Sequence, residues 1–168
     1  KYDQFKRLIS SLSAITPNRL SLGVYDGDTP LGQRTAIRQN ANVILTNPDM
    51  LHMGILPHHT NWSKIFLRLR YVVLDEAHHY RGVFGSHIAN ILRRLKRVAN
   101  FYGGFPQFIF TSASISNPIE MSQAMLEESV DLISEDGAEH GKRIFILYNP
   151  PVVDLDLGLR KSAVSEVV

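Results

Sequence analysis

The chain contains no cysteine, so no disulfide or zinc–thiolate framework can hold it together, and a reducing compartment is the natural expectation. No run approaches the roughly 18 consecutive apolar residues of a membrane span, and no segment with charged, apolar and small-residue regions opens the sequence. The expected location is the cytoplasm, with no membrane partner. Excess charge of one sign is also lacking: 18 Lys and Arg against 16 Asp and Glu leave a formal +2. Bulk charge therefore does not identify a nucleic-acid binder, and any such surface has to come from local clustering. A glycine-rich phosphate loop of the form G-x-x-x-x-G-K-[ST] does not occur, nor does an internal repeat or a low-complexity tract. What is present is a chain of 168 residues, 44% of them hydrophobic, sized for one domain with a real core.

The most informative stretch is Tyr71 to His78. Val72, Val73 and Leu74 form the apolar, β-branched run that a strand buried on both faces requires, and the run stops at two adjacent carboxylates, Asp75 and Glu76. Ligands of open α/β sheets bind at the C-terminal ends of strands. An Asp there can hold magnesium beside substrate phosphates, while a neighbouring Glu orients and deprotonates a water.

Around this stretch the hydrophobic period alternates between strand and helix. Tyr2, Phe5, Leu8, Ile9 and Leu12 predict an amphipathic helix over 1–13. Leu20 to Tyr25 reads as a strand closing on the Asp26-Gly27-Asp28 turn, after which Thr29-Pro30 supplies the cap and first residue of a helix to about Asn40. Val43 to Leu45 reads as a short buried strand, and Thr46-Asn47-Pro48-Asp49 repeats the cap-then-proline device. Residues 54–61 read as a loop, Trp62 to Leu69 as a helix and Tyr80 to Gly85 as a glycine-flanked loop. Ile88, Ile91, Leu92, Leu95, Val98 and Tyr102 then form one stripe of a long helix, with Arg93, Arg94, Lys96 and Arg97 mostly off it. Gly103-Gly104 ends that helix, Gln107 to Phe110 forms a strand with Thr111 to Ser114 at its tip, and Asn117-Pro118-Ile119-Glu120 caps a helix to about Glu127. Further on, short strands are expected at Val130 to Ile133 and Arg143 to Leu147, an extended linker over 152–161, and the start of a helix at Ser162 to Val168. The alternation, with ligand-type residues at strand tips, indicates an α/β fold with a three-layer, mostly parallel sheet.

Asp75-Glu76-Ala77-His78 reads as the D-E-A-H motif of superfamily 2 helicases, and Thr111-Ser112-Ala113-Ser114 is similar to their third motif, usually S-A-T. The longer run D-E-A-H-H-Y-R-G-V-F-G-S-H-I-A-N, the R-R-L-K-R after it and Tyr148-Asn149-Pro150-Pro151 resemble the YprA-like (MrfA) helicases over nearly the whole chain. The resemblance implies a RecA-like (P-loop NTPase) lobe lacking its Walker A strand, with residues 1–150 a partial ATP-binding lobe and 151–168 a linker and the start of a second lobe in cis. It implies an ATP-dependent DNA helicase that couples Mg-ATP hydrolysis to translocation on and unwinding of DNA, in DNA repair. By the same resemblance Asp75 holds magnesium with ATP, Glu76 is the base for the attacking water, and His78 bridges to the coupling motif Thr111, Ser112, Ala113 and Ser114. Thr46 with Asn47-Pro48 corresponds to a nucleic-acid phosphate grip, and Gly27 and Thr29 to further contacts. Serine at 114, where the family more often has threonine, keeps the hydroxyl and loses a methyl. The phosphate loop with its strand and the arginine finger are expected outside 1–168. The isolated stretch should then be inactive and, with the Gln107 to Phe110 strand left with an open edge, should self-associate or undergo a compensating rearrangement.

Each of these residues also has a plainer role. Asp75 and Glu76 would serve as a solvated strand end, Thr111 to Ser114 as a hydroxyl turn, Thr46 to Pro48 as an ordinary helix cap, and Asp26 to Thr29 as a simple turn whose two aspartates repel phosphate. His78 would serve as a structural histidine. The Arg93, Arg94, Lys96 and Arg97 run is either a solvated helix face or a contact with DNA or the other lobe. His78-His79 and His58-His59 invite a zinc reading, but no H-E-x-x-H pattern or cysteine pair supports it, and His58-His59 is expected on an exposed loop. Two rival functions remain at this stage: a metal-dependent hydrolase on Asp75, His78 and His79, and a non-catalytic nucleic-acid-binding or regulatory module with a lost ATP site.

Overall fold

Short runs of β-branched and aromatic residues form the strands, and parallel pairing follows because helices long enough to carry the chain back lie between them. The computed structural model describes residues 20–113, 115–135, 137, 141–142 and 144–162, together with residues 3, 4 and 7. It separates into two compact units, Lys1–Leu132 and Ile133–Val168. In the first unit, β1 (Leu22–Tyr25) is followed by α1 (Leu31–Asn40) and β2 (Val43–Thr46). Helical turns at Pro48–Met50, Leu51–Ile55 and Leu56–Trp62 lead to α2 (Ser63–Arg68), then β3 (Tyr71–Leu74). A tight turn at Ala77–His79 precedes α3 (Gly82–Phe101), β4 (Gln107–Phe110) and α4 (Pro118–Leu126).

β1 pairs in parallel with β2, from Leu22↔Val43 to Tyr25↔Thr46, and β3 with β4, from Tyr71↔Gln107 to Leu74↔Phe110. Among the described residues β2 and β3 are not hydrogen-bonded to each other. Instead Ile44, Leu45, Val72 and Leu74 face a shared apolar cavity of about 610 Å³, which Trp62 and Leu92 also line.

The apolar stripe of α3 buries Ile88, Ile91, Leu92, Leu95 and Ala99. It packs into one core with Leu74, Phe66 and the largest buried side chain, Trp62, which is 2% exposed. Trp62 meets Tyr25 edge-on, with ring centroids 4.6 Å apart, so one indole ties the β1 tip to the helical turns.

Several expectations are corrected. β3 is not buried on both faces: Val72 and Leu74 point into the core while Val73 is 58% exposed. Its parallel neighbour repeats the pattern, with Phe108 and Phe110 half-buried and Gln107 and Ile109 turned out. Residues 54–61 are not a loop but continuous helical turns kinked at His58, because Ile55, Leu56 and Trp62 must all reach the core. His59 does not sit in an exposed loop, since its ring nitrogen Nδ1 lies 2.8 Å from the Tyr102 hydroxyl. α3 starts at Gly82, inside the expected loop. Thr29 does not cap α1; Pro30 takes that position and the Thr29 hydroxyl turns inward. Asn117 makes no capping bond to the backbone of α4, its amide donating instead to the Glu120 carboxylate at 3.3 Å.

Val130 to Ile133 and residues 144–147 form no strand, and Ile144, Phe145, Ile146 and Leu147 are exposed, with no described ladder partner. In the second unit, residues 152–160 are not an extended linker. They form an antiparallel hairpin of β5 (Val152–Asp154) and β6 (Leu159–Arg160), turned by Asp154 Oδ1 accepting the Asp156 and Leu157 N–H groups at 2.9 Å. The helices expected over 1–13 and from Ser162 fall largely outside the described residues, as does Ser114.

Trp62→Ala is expected to lower the unfolding free energy by about 3–5 kcal/mol. Arg97→Ala, on the exposed side of α3, should change it by no more than about 0.5 kcal/mol. Urea denaturation of both variants checks the contrast.

Candidate active site

The register of β3 on β4 creates the site. Because Leu74 pairs with Phe110, the next residue on each strand, Asp75 and Thr111, meet at a common tip although they are 36 positions apart. The ladder runs past the strands: Thr111 N–H donates to the Leu74 carbonyl at 2.9 Å, and Ala77 N–H donates to the Thr111 carbonyl at 2.9 Å. The Thr111 hydroxyl then donates to Asp75 Oδ1 at 2.7 Å, and the same oxygen accepts the Glu76 N–H at 3.0 Å. Charge-assisted bonds of this length are strong and directional, so the carboxylate is held in one orientation.

Glu76 takes a left-handed conformation, φ 55° and ψ 43°, which costs a residue with a Cβ roughly 1–2 kcal/mol. The strain persists because Ala77, 0% exposed, anchors the turn in the core. The result throws the Glu76 side chain, 46% exposed, outward beside Asp75. Glu76 Oε2 lies 3.5 Å from His78 Nδ1, and Ser112 Oγ lies 3.4 Å from the same nitrogen. Ser112 donates its only hydroxyl hydrogen to the Ala113 carbonyl at 2.9 Å. His78 Nδ1 thus stands between the Ser112 hydroxyl and the Glu76 carboxylate, within reach of both. The His79 ring packs on His78 with centroids 4.1 Å apart.

Gly85 lets the first turn of α3 close against this loop, since a Cβ there would lie 2.5 Å from the Tyr80 carbonyl oxygen. Its role in close approach is invisible in a sequence that reads it as a loop glycine.

The other predicted residues gather at the tips of β1 and β2, which the Tyr25↔Thr46 pairing brings together. Thr46 Oγ1 donates to the Tyr25 carbonyl at 2.6 Å, and Asn47 Oδ1 accepts the Met50 N–H at 2.7 Å, capping the turn that Pro48 begins. The Thr29 hydroxyl is buried in its own turn, accepting the Asp26 N–H at 2.9 Å and lying 3.1 Å from the Val24 carbonyl. Gly27 and Asp28 are the exposed members of that turn.

Sequence reasoning missed Arg34. Its Nε donates to the Thr29 carbonyl at 3.0 Å, its Nη2 reaches the Asp26 and Gly27 carbonyls at 3.3 Å, and its guanidinium lies over the Tyr25 ring at 5.5 Å. Its place one turn into the helix that follows a turn-and-proline signal was the available clue. Among the described residues no group of three or more His, Cys, Asp or Glu converges to hold a metal ion, and no helix is long and apolar enough to cross a membrane.

Parallel strands joined by crossover helices, with an acidic pair at one tip bonded to a hydroxyl at the next, define a RecA-like α/β lobe. The chain belongs to the DEAD/DEAH box helicase family, whose sequence model matches residues 1–122. It is 50% identical over 143 residues to the uncharacterized ATP-dependent helicase YprA of Bacillus subtilis, covering 85% of this chain and 19% of that protein. It is 42% identical over 170 residues to the ATP-dependent helicase hrq1 of Schizosaccharomyces pombe, covering 98% of this chain and 16% of that protein. The crystal structure of the DUF1998 helicase MrfA bound to DNA and AMPPNP matches with a TM-score of 0.90 at 44% identity, covering 99% of this chain and 23% of that one. The chain thus spans about a fifth of the length of these relatives.

The strain at Glu76 predicts an order of stability. Glu76→Gly should raise the unfolding free energy by up to about 1 kcal/mol, and Glu76→Val should lower it, because a β-branched residue resists the left-handed region. Urea midpoints ranked Gly, then Glu, then Val are the expected result.

Proposed function

We propose that this chain forms part of the first lobe of an ATP-dependent DNA helicase, with Asp75, Glu76, His78, Thr111 and Ser112 as its contribution to ATP hydrolysis. The single observation carrying this reading is that Thr111 orients Asp75 while His78 stands between Glu76 and Ser112. The relatives named ATP-dependent helicases, and the MrfA structure with DNA and AMPPNP, support the same class for the whole protein. Residues 1–150 would belong to that lobe and 151–168 to the connection toward a second, with DNA repair in the cytoplasm as the setting that the family resemblance suggests.

The donor set suits magnesium bound together with a nucleotide. Adjacent, solvent-accessible carboxylates at a strand tip match an ion that takes one or two protein carboxylates and completes its shell with water and phosphate oxygens. Asp75 would hold that ion, which supplies neutralisation of phosphate charge. Glu76, thrown outward by its backbone, accepts the proton of the attacking water. Gaining that proton removes the negative charge 3.5 Å from His78 Nδ1 and shifts the balance of His78 between Glu76 and Ser112 toward Ser112. The chemical event is thereby passed to the end of β4, where Thr111, Ser112, Ala113 and Ser114 would couple it to grip on DNA. Thr46, Asn47 and Pro48, with the exposed Gly27 of the neighbouring turn, would touch DNA phosphates, while Thr29 shapes that turn from within.

In the whole protein, Glu76→Gln is expected to reduce DNA-stimulated phosphate release by about 10²–10⁴-fold while leaving DNA binding in place. Turnover within about threefold of the unsubstituted protein, a small fraction of a base's usual contribution, rejects the assignment.

Residues 1–168 alone, without a phosphate loop, should release no phosphate from ATP. They should also self-associate in light scattering, because β4 pairs only with β3 among the described residues. DNA-stimulated turnover contradicts the first expectation, and a strictly monomeric species at high concentration the second.

A further inference from the structure

We propose that the groove between α1 and the helical turns of residues 50–61 is an additional phosphate site for single-stranded nucleic acid, formed by Arg34 and Arg38. It rests on the reading of the chain as a DNA-handling lobe and adds a binding site to the strand-tip residues described above.

Arg34 and Arg38 lie four positions apart and therefore on one face of α1. Both line a groove of about 560 Å³ together with Tyr25, Leu31, Met53 and His58, and no carboxylate is among its lining residues. That sets it apart from the more obvious basic run on α3. There Arg93 pairs with Glu127 at 3.0 Å, Lys96 pairs with Glu128, and Glu127 itself lines the groove, so half of the four cations are already paired.

The two arginines are also prepared for an anion. Three backbone carbonyls, those of Thr29, Asp26 and Gly27, fix the Arg34 guanidinium through Nε and Nη2, and its Nη1 makes no hydrogen bond among the described residues. Among the described residues Arg38 bonds only within its own helix, from Nη2 to the Thr35 hydroxyl at 3.0 Å. A planar guanidinium already immobilised by the fold loses little further freedom on binding phosphate. Beside the cations stand Leu31 and Met53, 81% and 70% exposed, an apolar surface against which a sugar or base can pack.

Adjacency favours a nucleic acid over an acidic peptide. Arg34 bonds directly to the Gly27 carbonyl, and the β1–β2 register sets that turn next to Thr46. One polyanion lying on the Gly27 and Thr46 tips therefore meets Arg34. Arg34 also brings a positive charge to the backbone of the turn that carries Asp26 and Asp28.

The test is fluorescence anisotropy of a labelled oligothymidylate with the whole protein, titrated at several salt concentrations. Arg38→Glu is expected to weaken binding roughly tenfold and to reduce the salt slope by about 0.7. Arg94→Glu, which makes the same charge change on α3, should stay within about twofold. Should Arg38→Glu fail to fold by circular dichroism, Arg38→Ala takes its place, with a smaller loss and the same loss of slope. Unchanged affinity and slope for the Arg38 variants overturn the site, as do equal losses for Arg38→Glu and Arg94→Glu. Loss of acidic-peptide binding with oligothymidylate binding intact overturns it in favour of a protein partner. If the unsubstituted protein does not bind oligothymidylate, the DNA-handling reading falls and this site with it. If it does bind and only the Arg38 prediction fails, the groove alone is wrong.

Discussion

The hydrogen bond from the Thr111 hydroxyl to Asp75 is the contact on which the candidate site depends, and it exists only because two strands run parallel in one register. Parallel pairing requires the chain to travel back the length of the sheet before the second strand begins. The 20 residues of α3, about 30 Å of helix, make that return. The apolar stripe of α3 is thus both the largest share of the core and the device that sets Thr111 beside Asp75. A slip of the ladder by one residue would separate the two groups and turn the buried side chains of β3 toward solvent.

Strain and anchoring cooperate at the same place. Ala77 is buried and its N–H is tied to the Thr111 carbonyl, so the chain between Leu74 and Ala77 has no slack, and Glu76 absorbs the misfit in a left-handed conformation. The outward projection of Glu76 follows from that geometry. His78 Nδ1 then lies within 3.5 Å of both the carboxylate and the Ser112 hydroxyl. Backbone hydrogen bonding thereby couples two motifs that lie far apart in the chain.

The β1–β2 pair repeats the principle. A hydroxyl again ties one strand tip to its neighbour, Thr46 to the Tyr25 carbonyl, and Trp62 packs under the junction. Here the exposed end is the Asp26-Gly27-Asp28 turn, whose carbonyls are braced by Arg34. Carboxylates thus stand at both pairs of tips, and only the second has a guanidinium bonded into its turn.

Much of this was legible in the residues alone. The alternating periods located β1 to β4 and the stripe of α3 because burial patterns repeat with the geometry of each element, and Asp75-Glu76-Ala77-His78 with Thr111-Ser112-Ala113 marked the two tips. What local pattern could not decide were matters set by neighbours distant in sequence. The helical path through 54–61 is imposed by the burial of Leu56 and Trp62, and Val73 is exposed because the described elements cover only one face of its strand. The inward turn of Thr29 and the bracing role of Arg34 depend on carbonyls whose direction only the folded turn specifies. Sequence determined which residues are able to do chemistry here. Tertiary structure decided which of them meet, because contact across 36 positions is a property of strand register and helix packing and of no single residue.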